Sequence, residues 1–173
     1  MRMQYRALFA FACALMIPSV GAAQPRPVPA APADTKVNVA IALQVAGQLY
    51  NFDGKATCQH APMASIYDVA AEMWIIQQRD AQHSMALTMW RPKNKTGDMF
   101  SLTLNSGGKS YIVSTVKTSG GGNAQGSGSV TLKPSGAGGA FTLGAKTENG
   151  VAITGTVKCS AFTAAVAEGG NWH

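Results

Sequence analysis

The sequence predicts an all-β protein, an antiparallel β-sandwich or partly open barrel of about eight or nine strands with one disulfide. Three observations predict it. Apolar residues recur at every second position in many short runs. Gly-, Asn-, Asp- and Ser-rich turns separate those runs. Two cysteines remain once an N-terminal export signal is set aside.

Residues 1–23 have the order of a signal peptide. Arg2 and Arg6 give a positive start, Ala7 to Val20 is almost wholly apolar, and Gly21-Ala22-Ala23 supplies the small residues of a cleavage site. The apolar run of about 14 residues falls short of the roughly 20 that cross a bilayer. Cleavage near Ala23 is expected, leaving no membrane span. Cys13 lies inside the apolar run and departs with the signal. Residues 24–35 follow as a Pro/Ala-rich linker. Pro25, Pro27, Pro29 and Pro32 remove backbone donors and hold the chain extended over about 30 Å.

An antiparallel β domain is expected over 36–163. Val37, Val39, Ile41, Leu43 and Val45 share one parity. Phe100, Leu102 and Leu104 alternate with Ser101 and Thr103. Val130 and Leu132 alternate with Thr131 and Lys133, and Phe141, Leu143 and Ala145 with Thr142 and Gly144. Val151, Ile153, Val157 and Cys159 share a face opposite Thr154, Thr156 and Lys158. One dry face and one wet face is the signature of an antiparallel sheet. Met73 to Gln77 and Met85 to Trp90 are apolar on both faces, as central strands or strands under a loop are. Pro62 to Glu72 reads equally as a helical turn or as extended chain.

Turns are expected at Asp53-Gly54 and Asn149-Gly150, whose residue types favour the φ > 0 of tight hairpins. Ser106-Gly107-Gly108 and Ser135 to Gly139 are looser turns, and Thr118 to Ser129 reads as a long flexible loop. Residues 164–173 lose periodicity and form a C-terminal tail.

In an exported chain, two mature cysteines become a disulfide. Cys58 and Cys159 are expected to pair, closing about 100 residues and adding roughly 4–5 kcal/mol by chain entropy. With Arg2 and Arg6 removed, the net charge of +6 falls to +4. The basic residues are scattered, which excludes a nucleic-acid footprint.

The layout resembles uncharacterised small exported β-sheet proteins of Gram-negative bacteria. The resemblance is carried by Thr57-Cys58-Gln59-His60-Ala61-Pro62, Trp90-Arg91-Pro92, Gly126-Ser127-Gly128 and Gly155-Thr156-Val157-Lys158-Cys159, and spans roughly 36–162. It is looser to small mycobacterial envelope lipoproteins with one disulfide. It implies a fold and a compartment, periplasmic or secreted, and transfers no catalytic residue.

Catalytic arrangements are sparse. No Gly-x-Ser-x-Gly elbow is present, and Gly126-Ser127-Gly128-Ser129 lies in the expected flexible loop. Asp53, Asp98 and Glu148 fall in expected turns, leaving few acids for a glycosidase pair. The Gly120-Gly121-Gly122 run lacks the Gly-Lys-Ser/Thr ending of a phosphate loop. No catalytic residue and no cofactor is therefore expected.

The sequence points first to a non-enzymatic binding module of the periplasm or cell surface, its partner an envelope protein or cell-wall component. Tyr50, Phe52, Tyr67 and Trp74, with the basic Arg91, Lys93 and Lys95, are the candidate contact residues. A periplasmic copper-binding protein is the alternative. His83 and Met85 would be its ligands, with His60 or Met63 completing the soft N/S set. An inhibitor of an envelope hydrolase, using the 118–129 loop as a plug, is a further alternative.

Overall fold

The computed structural model describes residues 36–117 and 124–165. The expected signal, the linker, residues 118–123 of the Gly-rich loop and 166–173 of the tail lie outside the described residues. The chain forms β1 (Val37–Val45), β2 (Gln48–Ile66), β3 (Val69–Arg79), β4 (Ser84–Pro92) and β5 (Met99–Ser106). It continues through β6 (Lys109–Ser114), β7 (Ser127–Ser135), β8 (Gly138–Lys146), β9 (Ala152–Cys159) and the two-residue β10 (Thr163–Ala164).

Across the sheet the order is β6-β5-β4-β3-β2-β1-β9-β8-β7. Every neighbouring pair on this path is antiparallel. The β1–β9 ladder, from Val39 opposite Cys159 to Val45 opposite Ile153, joins the first long strand to the last. Nine strands is an odd number. A sheet that alternates direction at every step therefore leaves its two end strands, β6 and β7, running the same way. They cannot close the circle antiparallel. Among the described residues no ladder joins them; Ser114 at the end of β6 and Gln125, just before β7, exchange N–H···O bonds of 2.8 and 2.9 Å in an isolated antiparallel bridge. The molecule is the partly open barrel of the two expected forms, closed everywhere but this seam.

The period-two runs form the expected strands, because alternation satisfies one dry and one wet face. Two local expectations are corrected. Asp53-Gly54 is no turn: it lies inside β2, opposite Ala40 and Val39. β1 stays apolar to Val45, and its full length finds partners only if the chain reverses immediately afterwards. Ala46 and Gly47 do so with φ of 52° and 79°, the left-handed pair of a two-residue hairpin. The Phe52 ring lies over Gly54, filling the space where a side chain would meet it at 3.1 Å. The loop before β7 also ends earlier than expected, since Ser127 to Ser129 already pair with β8. Gly128 permits this. A Cβ there would sit 2.4 Å from the Gly144 carbonyl oxygen.

The segment 62–72 is extended, with Tyr67 and Asp68 forming its hairpin at φ of 45° and 65°. The register of β2 against β3 slips between Ala61 and Ala64, a bulge at Pro62 and Met63. Beyond that level the buried positions change face: Ala64 and Ile66 on β2, Ala71 on β3 and Pro92 on β4. A bulge bends its strand and increases local twist. The tip of the β2–β3 hairpin thereby buries residues on the outward face, where Ile66, Ala71 and Val116 form a second apolar cluster against Val69, Trp90 and Met99.

The barrel interior is filled by the inward parity. Phe100, Phe141, Leu87, Met89, Leu102 and Ile76 are fully buried, and each such side chain contributes about 1.5–3 kcal/mol. Cys58 and Cys159 are bonded, Cα atoms 6.3 Å apart, as expected. The bridge ties β2 to β9 just beyond the start of β1. The chain then crosses that end of the barrel. Phe162 sets its ring edge-on to Phe141 at 6.0 Å, and the Ala165 N–H donates to the His60 carbonyl at 3.0 Å.

Two stability predictions follow from this closure. Replacing both Cys58 and Cys159 by Ser should lower the unfolding free energy by about 4–5 kcal/mol, read from urea midpoints, since the bridge spans 101 residues. An unchanged midpoint would contradict the chain-entropy account. Gly155→Ala would place a Cβ 2.1 Å from the Ala42 carbonyl oxygen at φ 144° and should cost about 2–4 kcal/mol. Gly144→Ala meets nothing within 4 Å and should change stability by under about 0.5 kcal/mol.

Candidate functional site

Any ligand must find space, and the barrel leaves it outside. The packed interior presents its polar groups only near the two ends. At the β3–β4 turn the buried Gln78 accepts from the Tyr50 hydroxyl through Oε1 and donates to Asp80 Oδ2 at 3.0 Å. The backbone N–H groups of Gln82 and His83 donate to Asp80 Oδ1 and hold its carboxyl below the usual range. Burial, with Asp80's charge nearby, pushes the Tyr50 phenol from 10 up to about 12. This is a structural chain: each polar atom taken from water is given a partner.

At the other end Trp74 is the central group. The His60 ring stacks on it with centroids 4.7 Å apart, and the Arg91 guanidinium lies 5.3 Å from the indole centroid. Asp98 grips Arg91 through two bonds of 2.9 and 3.0 Å, the paired geometry that fixes a guanidinium. Glu72 Oε2 stands 3.5 Å from His60 Nε2 without a hydrogen bond to it. No hydroxyl among the described residues hydrogen-bonds either His60 or His83, so neither imidazole–carboxylate pair extends to a nucleophile.

Two of the clefts lie on the outward face of β2 to β6. One groove of about 340 Å³ runs over the outward residues of β2, β3, β4 and β5. Lys36, Lys55 and Arg79 edge it, and Thr57, Gln77 and Asn105 line it. The register assembles these from distant parts of the chain: Val37 lies opposite Ala56, and Thr57 opposite Gln77. The three cations are exposed and make no ion pair among the described residues. A second cleft of about 400 Å³ lies further along the same face. Tyr67 and Trp90 supply its rings, and Ser65, Ser101 and Ser114 its hydroxyls. The bulge in β2 builds this cleft by curling the hairpin tip over β4 to β6.

Each sequence-derived candidate now has a place. Tyr50 and Trp74 are core residues, buried at 5% and 4% exposure; Phe52 is half-buried over Gly54. These three belong to the packing, because their strand positions have inward parity. Tyr67 is 53% exposed, available for contact. Arg91 is held by Trp74 and Asp98, while Lys93 and Lys95 are exposed on the β4–β5 connection beside a cleft of about 370 Å³. The copper set is not brought together. Met85 points into the core, His83 edges onto Tyr50 at 5.5 Å, and Met63 is exposed on the bulge. His60 lies opposite Trp74 and Met85 opposite Gln78, about 13 Å apart along β3. Sequence spacing missed the groove, since residues 36, 55 and 79 become neighbours only through two ladders. The outward parity of Lys55 and Arg79 in their strands is the one trace it leaves.

Comparison with protein-family models, with curated proteins and with solved structures finds no match to this chain.

The Tyr50 environment carries a pH prediction. Its folded pKa lies above the unfolded value, so its stabilisation is complete below pH 10 and is lost as pH rises through about 12. Alkaline unfolding of the native protein should show this loss, and Tyr50→Phe should flatten stability over that interval. An identical decline in the variant would refute the assignment.

Proposed function

We propose that the protein is a non-enzymatic binding module exported to the cell envelope, where it holds a cell-wall or other envelope component against the outside of its barrel. One observation carries this reading: side chains fill the interior, while clefts of 340–460 Å³ open on the exterior. A filled, cross-linked barrel suits a rigid platform whose contacts lie on strands and tight hairpins. The disulfide supports an oxidising compartment, in keeping with the export order of residues 1–23.

Two measurements test it. Expressed with its own N-terminus in a Gram-negative cell, the protein should appear in the osmotic-shock or culture fraction with Cys58 and Cys159 oxidised; recovery as a reduced cytosolic protein would refute export. The oxidised protein should co-sediment saturably with purified cell envelopes. Sedimentation no greater than that of a heat-unfolded, alkylated control would refute the binding role.

A further inference from the structure

We infer that the outward face of β2 to β6 is one continuous track that binds an acidic glycan, with anionic groups at the Lys36–Lys55–Arg79 end and sugar rings at the Tyr67–Trp90 end. This rests on the proposed reading of the barrel exterior as a binding surface, and names the ligand class.

Continuity comes from β5. Thr103 lines the basic groove and Ser101 the aromatic cleft. Phe100, Leu102 and Leu104 fill the interior side, so Ser101 and Thr103 face outward together, about 7 Å apart. On β4, Ala86 and Trp90 mark the two clefts about 13 Å apart, with Thr88 between them. The track therefore accepts an extended ligand longer than a single ion or monosaccharide.

The two ends differ in chemistry. No carboxylate lines the basic groove, and its three cations make no ion pair among the described residues. Amides and hydroxyls of Gln77, Asn105, Thr57 and Thr103 stand among them. Such a set meets a carboxylate or phosphate together with its neighbouring hydroxyls. The aromatic cleft holds no charge. Its two rings, Tyr67 exposed and Trp90 half-buried, lend apolar surface for a sugar ring, and its three serines supply hydroxyls beside them. Tyr67 is a large side chain exposed at a left-handed φ of 45°. Bulky residues seldom occupy that region, and strained positions concentrate at functional sites.

The ligand follows by fit. Inorganic phosphate leaves the rings unused, and a neutral glycan leaves three cations unpaired. A single-stranded nucleic acid stacks bases and needs cations along its whole backbone, whereas the lining of the aromatic cleft includes none.

The test is calorimetric titration of the oxidised protein with five probes: a carboxylated oligosaccharide (oligogalacturonate), a phosphorylated glycan, a neutral cello-oligosaccharide, a single-stranded oligonucleotide and inorganic phosphate. At least one acidic glycan should bind at least tenfold more tightly than the other three classes, and the better of the two identifies the anion. Lys55→Gln with Arg79→Gln should weaken it tenfold or more. Tyr67→Asn, which keeps a residue tolerant of the left-handed turn, should do likewise, with thermal midpoints unchanged. Failure of both acidic glycans, equal binding of the neutral one, preference for the oligonucleotide, or indifference to these substitutions would overturn the inference. Envelope sedimentation separates the two levels. Should the wild type and the variants sediment alike, the glycan track falls and the binding module stands; should the wild type not sediment, both fall.

Discussion

The ladder between β1 and β9 is the constraint on which the rest of this molecule depends. All other neighbouring strands on the path are joined by nearby turns or short connections, but this pair brings together residues 39–45 and 153–159. Without it the chain is two separate meanders, each with an uncovered apolar face. With it the inward residues of nine strands share one interior. Gly155 allows the backbones to approach, because any side chain there would strike the Ala42 carbonyl. The disulfide stands at the ladder's end, on Cys159 opposite Val39, and lowers the entropy of the open chain that must find this pairing. Phe162 and β10 then cover the same end.

Closing at β1–β9 has a topological consequence. An odd number of alternating strands must leave one pair parallel, and the mismatch is placed at β6 and β7, where a single bridge replaces a ladder. Such free edges invite pairing with other chains. On β7, Lys133 and Pro134 lie within the edge strand, residue types that discourage it. The filled interior leaves the open clefts at the barrel's surface. The bulge at Pro62–Met63 gives the outer face its relief: it bends the β2–β3 tip, buries Ile66 and Ala71 on that side, and brings Tyr67 and Trp90 to one cleft.

The sequence made the regular parts legible because parity is a local property. β1, β5, β8 and β9 alternate cleanly, and the inward position of Cys159 is readable from Val157 and Ile153. Gly107-Gly108 and Asn149-Gly150 reverse the chain as their residue types suggest. Asp53-Gly54 carried the same local signal yet lies in a strand. There the decision belonged to β1, whose nine apolar-alternating residues needed an equal partner. The ambiguity of 62–72 has a related origin, for a bulge interrupts period two and imitates a helical spacing. Tyr50, Phe52 and Trp74 are open to reading as core or as contact aromatics only while their parity is unassigned. The basic groove was beyond reach, because Lys36, Lys55 and Arg79 are gathered by register alone.

Native-state hydrogen exchange at single-residue resolution tests the closure most directly. Backbone amides of Ala40, Ala42 and Lys158, which share the parity of the Ala46–Ala152 and Asn38–Ser160 bonds between β1 and β9, should exchange only through global unfolding, while the free edges of β6 and β7 open locally and far faster. Ladder amides that exchange as quickly as those edges would mean that the barrel does not close where this account places its closure.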